Sequence, residues 1–173
     1  DVTLVAMWAT PGDAPYTVRH WMQQLNDDET AVAGTDKTIT YEEVEGEIVP
    51  VCADYAQETG SQETLKSMVG TMTAAQAHAI TGFSVCPFAQ KEIEADGTTV
   101  IDIFYDRNTY TANFDANGHG TPPAPQTVPY GALLAPVAPG PVTGYEFLGW
   151  SVDKSDTYWN FAEDDMGAED LRL

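Results

Sequence analysis

The chain has 173 residues, of which 27 are acidic and 7 basic, giving a formal net charge of −20. A charge of that size repels the phosphates of nucleic acid and anionic lipid, which sets both aside as partners. Apolar residues make up 43% of the chain, enough to bury a core despite the charge, and the length fits one or two small domains. The sequence shows no basic-plus-apolar leader and no apolar run long enough to span a membrane. It starts at Asp1 without an initiator Met, so a piece of something longer is expected.

Asp1 to Trp8 alternates as a strand, and residues 10–15 carry the prolines and glycine of a linker. Tyr16 to Gln24 sets Tyr16, Val18, His20 and Met22 against Thr17, Arg19, Trp21 and Gln23, the period of a strand with one face in a core. A turn at Asn26 to Asp28 should lead into a return strand from Thr30 towards Gly34. Residues Thr38 to Gly60 read as an acidic insertion of weak strand character. A short helix is predicted over Gln62 to Met68. A better one covers Thr73 to Ile80, where alanine dominates, Thr71 or Thr73 can cap and Gly82 can end it. Ile93 to Arg107 reads as a hairpin turning at Asp96-Gly97, with Val100 to Tyr105 as its apolar arm.

Tyr110, Ala112 and Phe114 alternate with Thr111 and Asn113, and Asn117-Gly118 follows as a turn tolerant of positive φ. Val128 to Leu134 gives a second apolar stretch with Tyr130-Gly131. Pro136, Pro139 and Pro141 interrupt pairing, because proline offers no N–H. Gly144 to Trp150 then supplies Tyr145, Phe147 and Trp150 as three apolar anchors of an aromatic strand. The predicted class is α+β: two tandem small β-grasp-like modules, β-rich with one or two short helices.

The order Tyr110, Phe114, Asp115, Asn117, Gly118, Tyr130, Gly131, Pro141, Gly144, Tyr145, Phe147, Gly149, Trp150 resembles the Listeria–Bacteroides repeat, also called the internalin-type B repeat. His119 stands where that family usually has a second glycine. Tyr16 to Arg107 resembles mucin-binding-protein-like repeats, through Tyr16-Thr17-Val18-Arg19-His20, Gly82-Phe83, Ala95 to Val100 and Phe104 to Asn108. The segment from Ile39 to Met68 is longer and more acidic than the usual linker of that family. Asp1 to Trp8 is similar to a repeat's closing strand, and Glu169 to Leu173 to the start of another copy. The resemblances imply three parts: residues 1–15 as a closing strand plus linker, 16–107 as the mucin-binding-protein-like module, and 108–173 as the Listeria–Bacteroides module. They also imply a bacterial cell-surface protein of adhesin type, outside the cell, with neighbouring repeats of the same chain as partners.

The chemistry-bearing residues are few. Cys52 and Cys86 permit one disulfide, with two free thiols as the alternative. The sequence holds neither C-x-x-C nor H-x-x-x-H, so no zinc spacing is present, and no cofactor is expected. His78 reads as a helix-surface histidine, and a Cys86–His78 pair could only be assembled in space. Asp115-Ala116-Asn117-Gly118 lacks the closing acid of a calcium loop. The acids Glu163, Asp164, Asp165, Glu169 and Asp170 form a solvated cluster. Asp153, Asp156 and Asp164 are not distinguished as acid–base catalysts. A Lys–Asn isopeptide bond would need one of Lys37, Lys66, Lys91 or Lys154 to be buried. Trp21, Tyr158 and Trp159 are the candidate glycan-binding aromatics, since flat rings stack on sugar faces. The expected function is non-catalytic: a stalk or spacer segment with a part in adhesion, the alternative being a host glycoprotein- or glycan-binding module.

Overall fold

The computed structural model describes residues 12–58, 60–152 and 157–173; the expected strand Asp1 to Trp8 lies outside them. Strands β1 (Asp13–Gln23), β4 (Tyr55–Gln57), β5 (Glu63–Met68), β6 (Phe83–Val85) and β7 (Val100–Arg107) form a five-stranded sheet. β1 is central. It pairs in parallel with β7, so that His20 lies beside Ile103 and Met22 beside Tyr105. Its other edge is shared by β5 along Asp13 to Val18 and by β4 along Trp21 to Gln23, both antiparallel. The ladder is therefore interrupted opposite Arg19 and His20, where Glu58 N–H still reaches the His20 carbonyl at 3.2 Å.

The alternation read in β1 is present, but both of its faces are buried. Tyr16 and Val18 join Ile101, Ile103, Tyr105, Ala75 and Ile93 in one apolar cluster. On the reverse face Arg19 meets both carboxylate oxygens of Asp102 (2.7 and 3.0 Å), and Trp21 donates its indole N–H to the same carboxylate at 2.8 Å. A buried charged side chain on the central strand is satisfied here because its partner is bidentate.

The helices expected at Gln62 to Met68 and Thr73 to Ile80 do not form: the chain is nearly all β, and no α-helix occurs among the described residues. The α+β assignment is overturned, and with it the ground for a β-grasp, whose helix crosses the sheet. Leu65, Met68 and Val69 have helical spacing, yet residues 63–68 pair with β1 because the ladder satisfies their backbone groups. Residues 73–80 cross the apolar face as irregular chain. Their amides are held by side chains of the sheet and its neighbours: Ala74 N–H by Tyr16 Oη (3.2 Å), Ala75 N–H by Gln90 Oε1 (3.0 Å), His78 N–H by Tyr105 Oη (2.8 Å). An alanine-rich stretch of that length is below the roughly 12–15 residues at which helices become stable alone, so these bonds decide.

Two further expectations change. The Asp96-Gly97 turn forms, but the backbone of the residues before it pairs with 70–73 and not with β7, with Ile93 N–H on Thr71 O at 2.9 Å. The acidic insertion is a regular exposed hairpin, β2 (Ile39–Val44) and β3 (Glu47–Cys52), turning through Glu45 and Gly46 at φ 53° and 86°. A turn with two left-handed residues matches strand twist. The return at 30–34 is reduced to a single bridge between Leu25 and Val32.

The second sheet has β8 (Thr109–Asn113) between β9 (Gln126–Pro129), antiparallel, and β10 (Leu171–Arg172), parallel. Its core joins Ala112, Phe114, Leu134, Trp150 and Leu173. Gly144 to Trp150 is not a strand. Trp150 alone of its three anchors is buried, while Tyr145 and Phe147 stay exposed.

Candidate functional site

Three constellations gather reactive or polar side chains. The first lies on the apolar face beside the gap between β4 and β5. His20 is fully buried, and its Nδ1 is 2.7 Å from Tyr105 Oη. Because Tyr105 Oη already accepts the His78 amide, its own O–H is free to point at Nδ1. The His20 proton then sits on Nε2. That Nε2 is buried without a hydrogen-bond partner, 3.7 Å from Glu63 Oε1. His78 stacks on His20 with centroids 4.0 Å apart, and its own Nε2 is 2.9 Å from the same oxygen. Burial holds the His20 pKa below 6.5, and the adjacent His78 adds to this; Glu63 and Glu58 oppose it only in part.

The second constellation is on the reverse face. Asp106 Oδ1 accepts from Tyr55 Oη at 2.5 Å and from Lys37 Nζ at 3.2 Å, and Lys37 also lies 4.8 Å from the Tyr55 ring centroid. Burial and the bond to Asp106 push the Tyr55 pKa up to about 12. Burial alone would depress Lys37, but hydrogen bonds with Tyr55 and Asp106 outweigh it and raise its pKa. Burial also works to raise Asp106, where bonds from Tyr55, Cys86 and Lys37 outweigh it and hold the carboxyl below its ordinary value. Lys37 and Asp106 are an ion pair, and with its side chain 34% exposed Lys37 is not the buried amine that a Lys–Asn isopeptide bond would need. Cys86 interacts with Asp106, and Tyr105, the next residue along β7, faces the other side with His78. Alternation in a strand thus separates Cys86 from His78.

The third is an open depression of about 400 Å³ between Val152, Tyr158, Trp159 and the acids Glu163, Asp164 and Asp165. Tyr158 is 52% exposed, whereas Trp159 packs against the second core with its indole N–H unpartnered. Trp21 is 1% exposed, stacked on Phe104 with Arg19 beside it, and offers no face to a sugar. The three candidate aromatics are therefore not one platform. Cys52 and Cys86 are free thiols, each half-buried; Cys52 Sγ donates to the Asp36 carbonyl at 3.2 Å. Asp153, Lys154 and Asp156 lie outside the described residues.

The joint between the sheets is one residue, Asn108, whose N–H bonds Gly82 O and whose carbonyl accepts from Tyr130 N–H, both at 2.8 Å. In the second sheet, Asn117 and Gly118 take φ of 49° and 80°, Gly131 takes 76°, and the Trp150 indole N–H donates to Val137 O at 2.8 Å. The carboxy-terminal strand closes this unit, with Asp115 N–H on Leu173 O and Leu173 N–H on Asn113 O. Residues 110–173 match the Listeria-Bacteroides repeat domain. The match runs from the first strand of the second sheet to its last, so the repeat coincides with one hydrogen-bonded unit. No solved structure matches the chain significantly. The glycines of the repeat pattern have a physical use here: Gly131, at positive φ, brings its backbone against the Arg107 guanidinium.

Sequence reasoning missed the first constellation. His20, Glu63 and His78 are 43 and 15 positions apart (63 − 20 and 78 − 63), a spacing that no local motif contains.

Proposed function

We propose that residues 16–107, which resemble mucin-binding-protein-like repeats, and residues 108–173 are two tandem modules of a bacterial surface protein, acting as a stiff, non-catalytic spacer. The Listeria-Bacteroides repeat match supports the surface setting. The observation that carries the spacer reading is the clamp around Arg107. Its Nε donates to Gln23 O at 2.8 Å in the first sheet, and its Nη1 to Tyr130 O at 2.7 Å beyond the joint. The Phe83 ring packs edge-on against Tyr130 at 5.8 Å, and Arg107 covers Phe83 at 4.9 Å. Leu133 N–H also reaches Glu29 O at 2.8 Å. A spacer transmits force and orientation only if its modules do not pivot, and this arrangement opposes pivoting.

Residual dipolar couplings of the amides test it. A single alignment tensor should fit both sheets, and Arg107→Ala should split it into two. Two independent tensors in the parent chain would overturn the spacer reading. The alternative, a host glycoprotein or glycan module, rests on the exposed Tyr158 beside the acidic depression. Selective binding on a glycan and host-matrix array, lost in Tyr158→Ala, would favour it; a blank array favours the spacer.

A further inference from the structure

We propose that His20 Nε2, Glu63 Oε1 and His78 Nε2 form a binding site for a divalent transition-metal ion of the zinc class, tying the segment 69–82 and β5 to the central strand β1. The three donor atoms lie within 4.8 Å of one another. A tetrahedral ion with bonds of about 2.0–2.2 Å needs its donors roughly 3.4 Å apart. Two of the distances, 3.7 Å and 2.9 Å, already bracket that value. The strongest pointer is His20 itself. A fully buried imidazole with one nitrogen bonded and the other unpartnered leaves a polar atom whose lost hydration nothing offsets. That atom is aimed at the side of the cluster where Glu63 and His78 sit at the surface.

Two imidazoles and one carboxylate suit borderline ions, while Ca²⁺ and Mg²⁺ prefer an all-oxygen shell. Glu63 and His78 are 40% and 44% exposed, so water can complete the fourth position and an ion can enter from solvent. The net charge of −20 draws cations to the surface without choosing among them. The donor set makes the choice.

The imidazole rings are near parallel, at 14°, so their lone pairs do not yet converge. Ion capture requires His78, the exposed member on an irregular segment, to tilt towards Glu63. It also requires the His20 proton to leave Nε2 and return on Nδ1, where the second lone pair of Tyr105 Oη receives it and the Tyr105 O–H rotates away from Nδ1. An outer partner of this kind is usual for a metal-bound histidine.

The test is calorimetric titration of the chelator-stripped chain with Zn²⁺, with Mg²⁺ and Ca²⁺ as controls, alongside His78→Ala and Glu63→Gln. Both variants alter half-exposed side chains and leave the core intact. The expected result is one saturable Zn²⁺ site that Mg²⁺ and Ca²⁺ do not fill. Loss of an outer partner already weakens such sites by roughly 10–100-fold, so loss of either ligand should weaken this one at least as much. The ¹⁵N spectrum should show His20 changing tautomer on Zn²⁺ addition. No saturable Zn²⁺ binding, equal binding by the variants, or an unmoved His20 tautomer would each overturn the proposal.

Discussion

Tyr105→Phe isolates the hydrogen bonds that hold residues 73–80 as irregular chain on the sheet. The hydroxyl is buried and makes two contacts, with His20 Nδ1 at 2.7 Å and with the His78 amide at 2.8 Å. The ring is unchanged by the substitution, so no apolar contact is lost. Each polar group left without a partner costs about 1–3 kcal/mol when buried. His20 is fully buried and the His78 amide partly so, which places the sum at about 2–4 kcal/mol. Tyr16→Phe removes one longer bond, to Ala74 N–H at 3.2 Å, and should cost about 1 kcal/mol. Urea unfolding followed by tryptophan fluorescence reads both, with m unchanged if only stability moved. Had residues 73–80 been helical, His78 N–H would bond the Ala74 carbonyl and the Tyr105 hydroxyl would lose one of its two partners. A loss below about 0.5 kcal/mol for Tyr105→Phe, within the range of neutral surface changes, would refute the account of this segment.

Two further outcomes follow from particular contacts. Gly82 has φ +80° and a Cβ there would run into the Tyr130 ring, so Gly82→Ala should cost about 2–5 kcal/mol, strain and overpacking together. Gly46→Ala, at φ +86° with open space around it, should cost only the strain, about 1 kcal/mol; equal losses in urea unfolding would remove the close approach from the argument. The folded Asp106 pKa lies below its ordinary 3.8, so its contribution is complete above that value and is lost as pH falls through the lowered folded value. Asp106 is half-exposed, which keeps the contribution below about 1 kcal/mol. Asp106→Asn should flatten the acid limb of a thermal-unfolding pH series; an unchanged limb would mean that the pairing with Lys37 and Tyr55 adds no stability.

Some features were legible because their cause is local. The alternation around Tyr16 to Gln23, the apolar run of Val100 to Tyr105, and the alternation from Tyr110 to Asn113 each lie in a strand, although β1 is buried on both faces where the pattern assigned one. The Asn117-Gly118 turn and the burial of Trp150 follow from the backbone freedom and ring size of those residues. The helix at Thr73 to Ile80 was not legible in this way. Alanine propensity describes what the segment does alone, and the hydroxyls of Tyr16 and Tyr105 and the amide of Gln90 replaced the intrahelical bonds. The same limit applies to Trp21. Its period-two position gave its face, but Asp102, Phe104 and Arg19 made that face an interior.

By itself the sequence determined the acidic surface, the strand periods, the turn residues and the spaced pattern of the carboxy-terminal repeat. Only tertiary structure decided that β1 pairs in parallel with β7 and antiparallel with β5, that the ladder breaks opposite His20, and that His78 returns across that gap. A periodic pattern fixes which way a side chain points. Which distant side chain it meets depends on strand pairing, where backbone groups from remote parts of the chain satisfy one another and bring His20, Glu63 and His78 to one place.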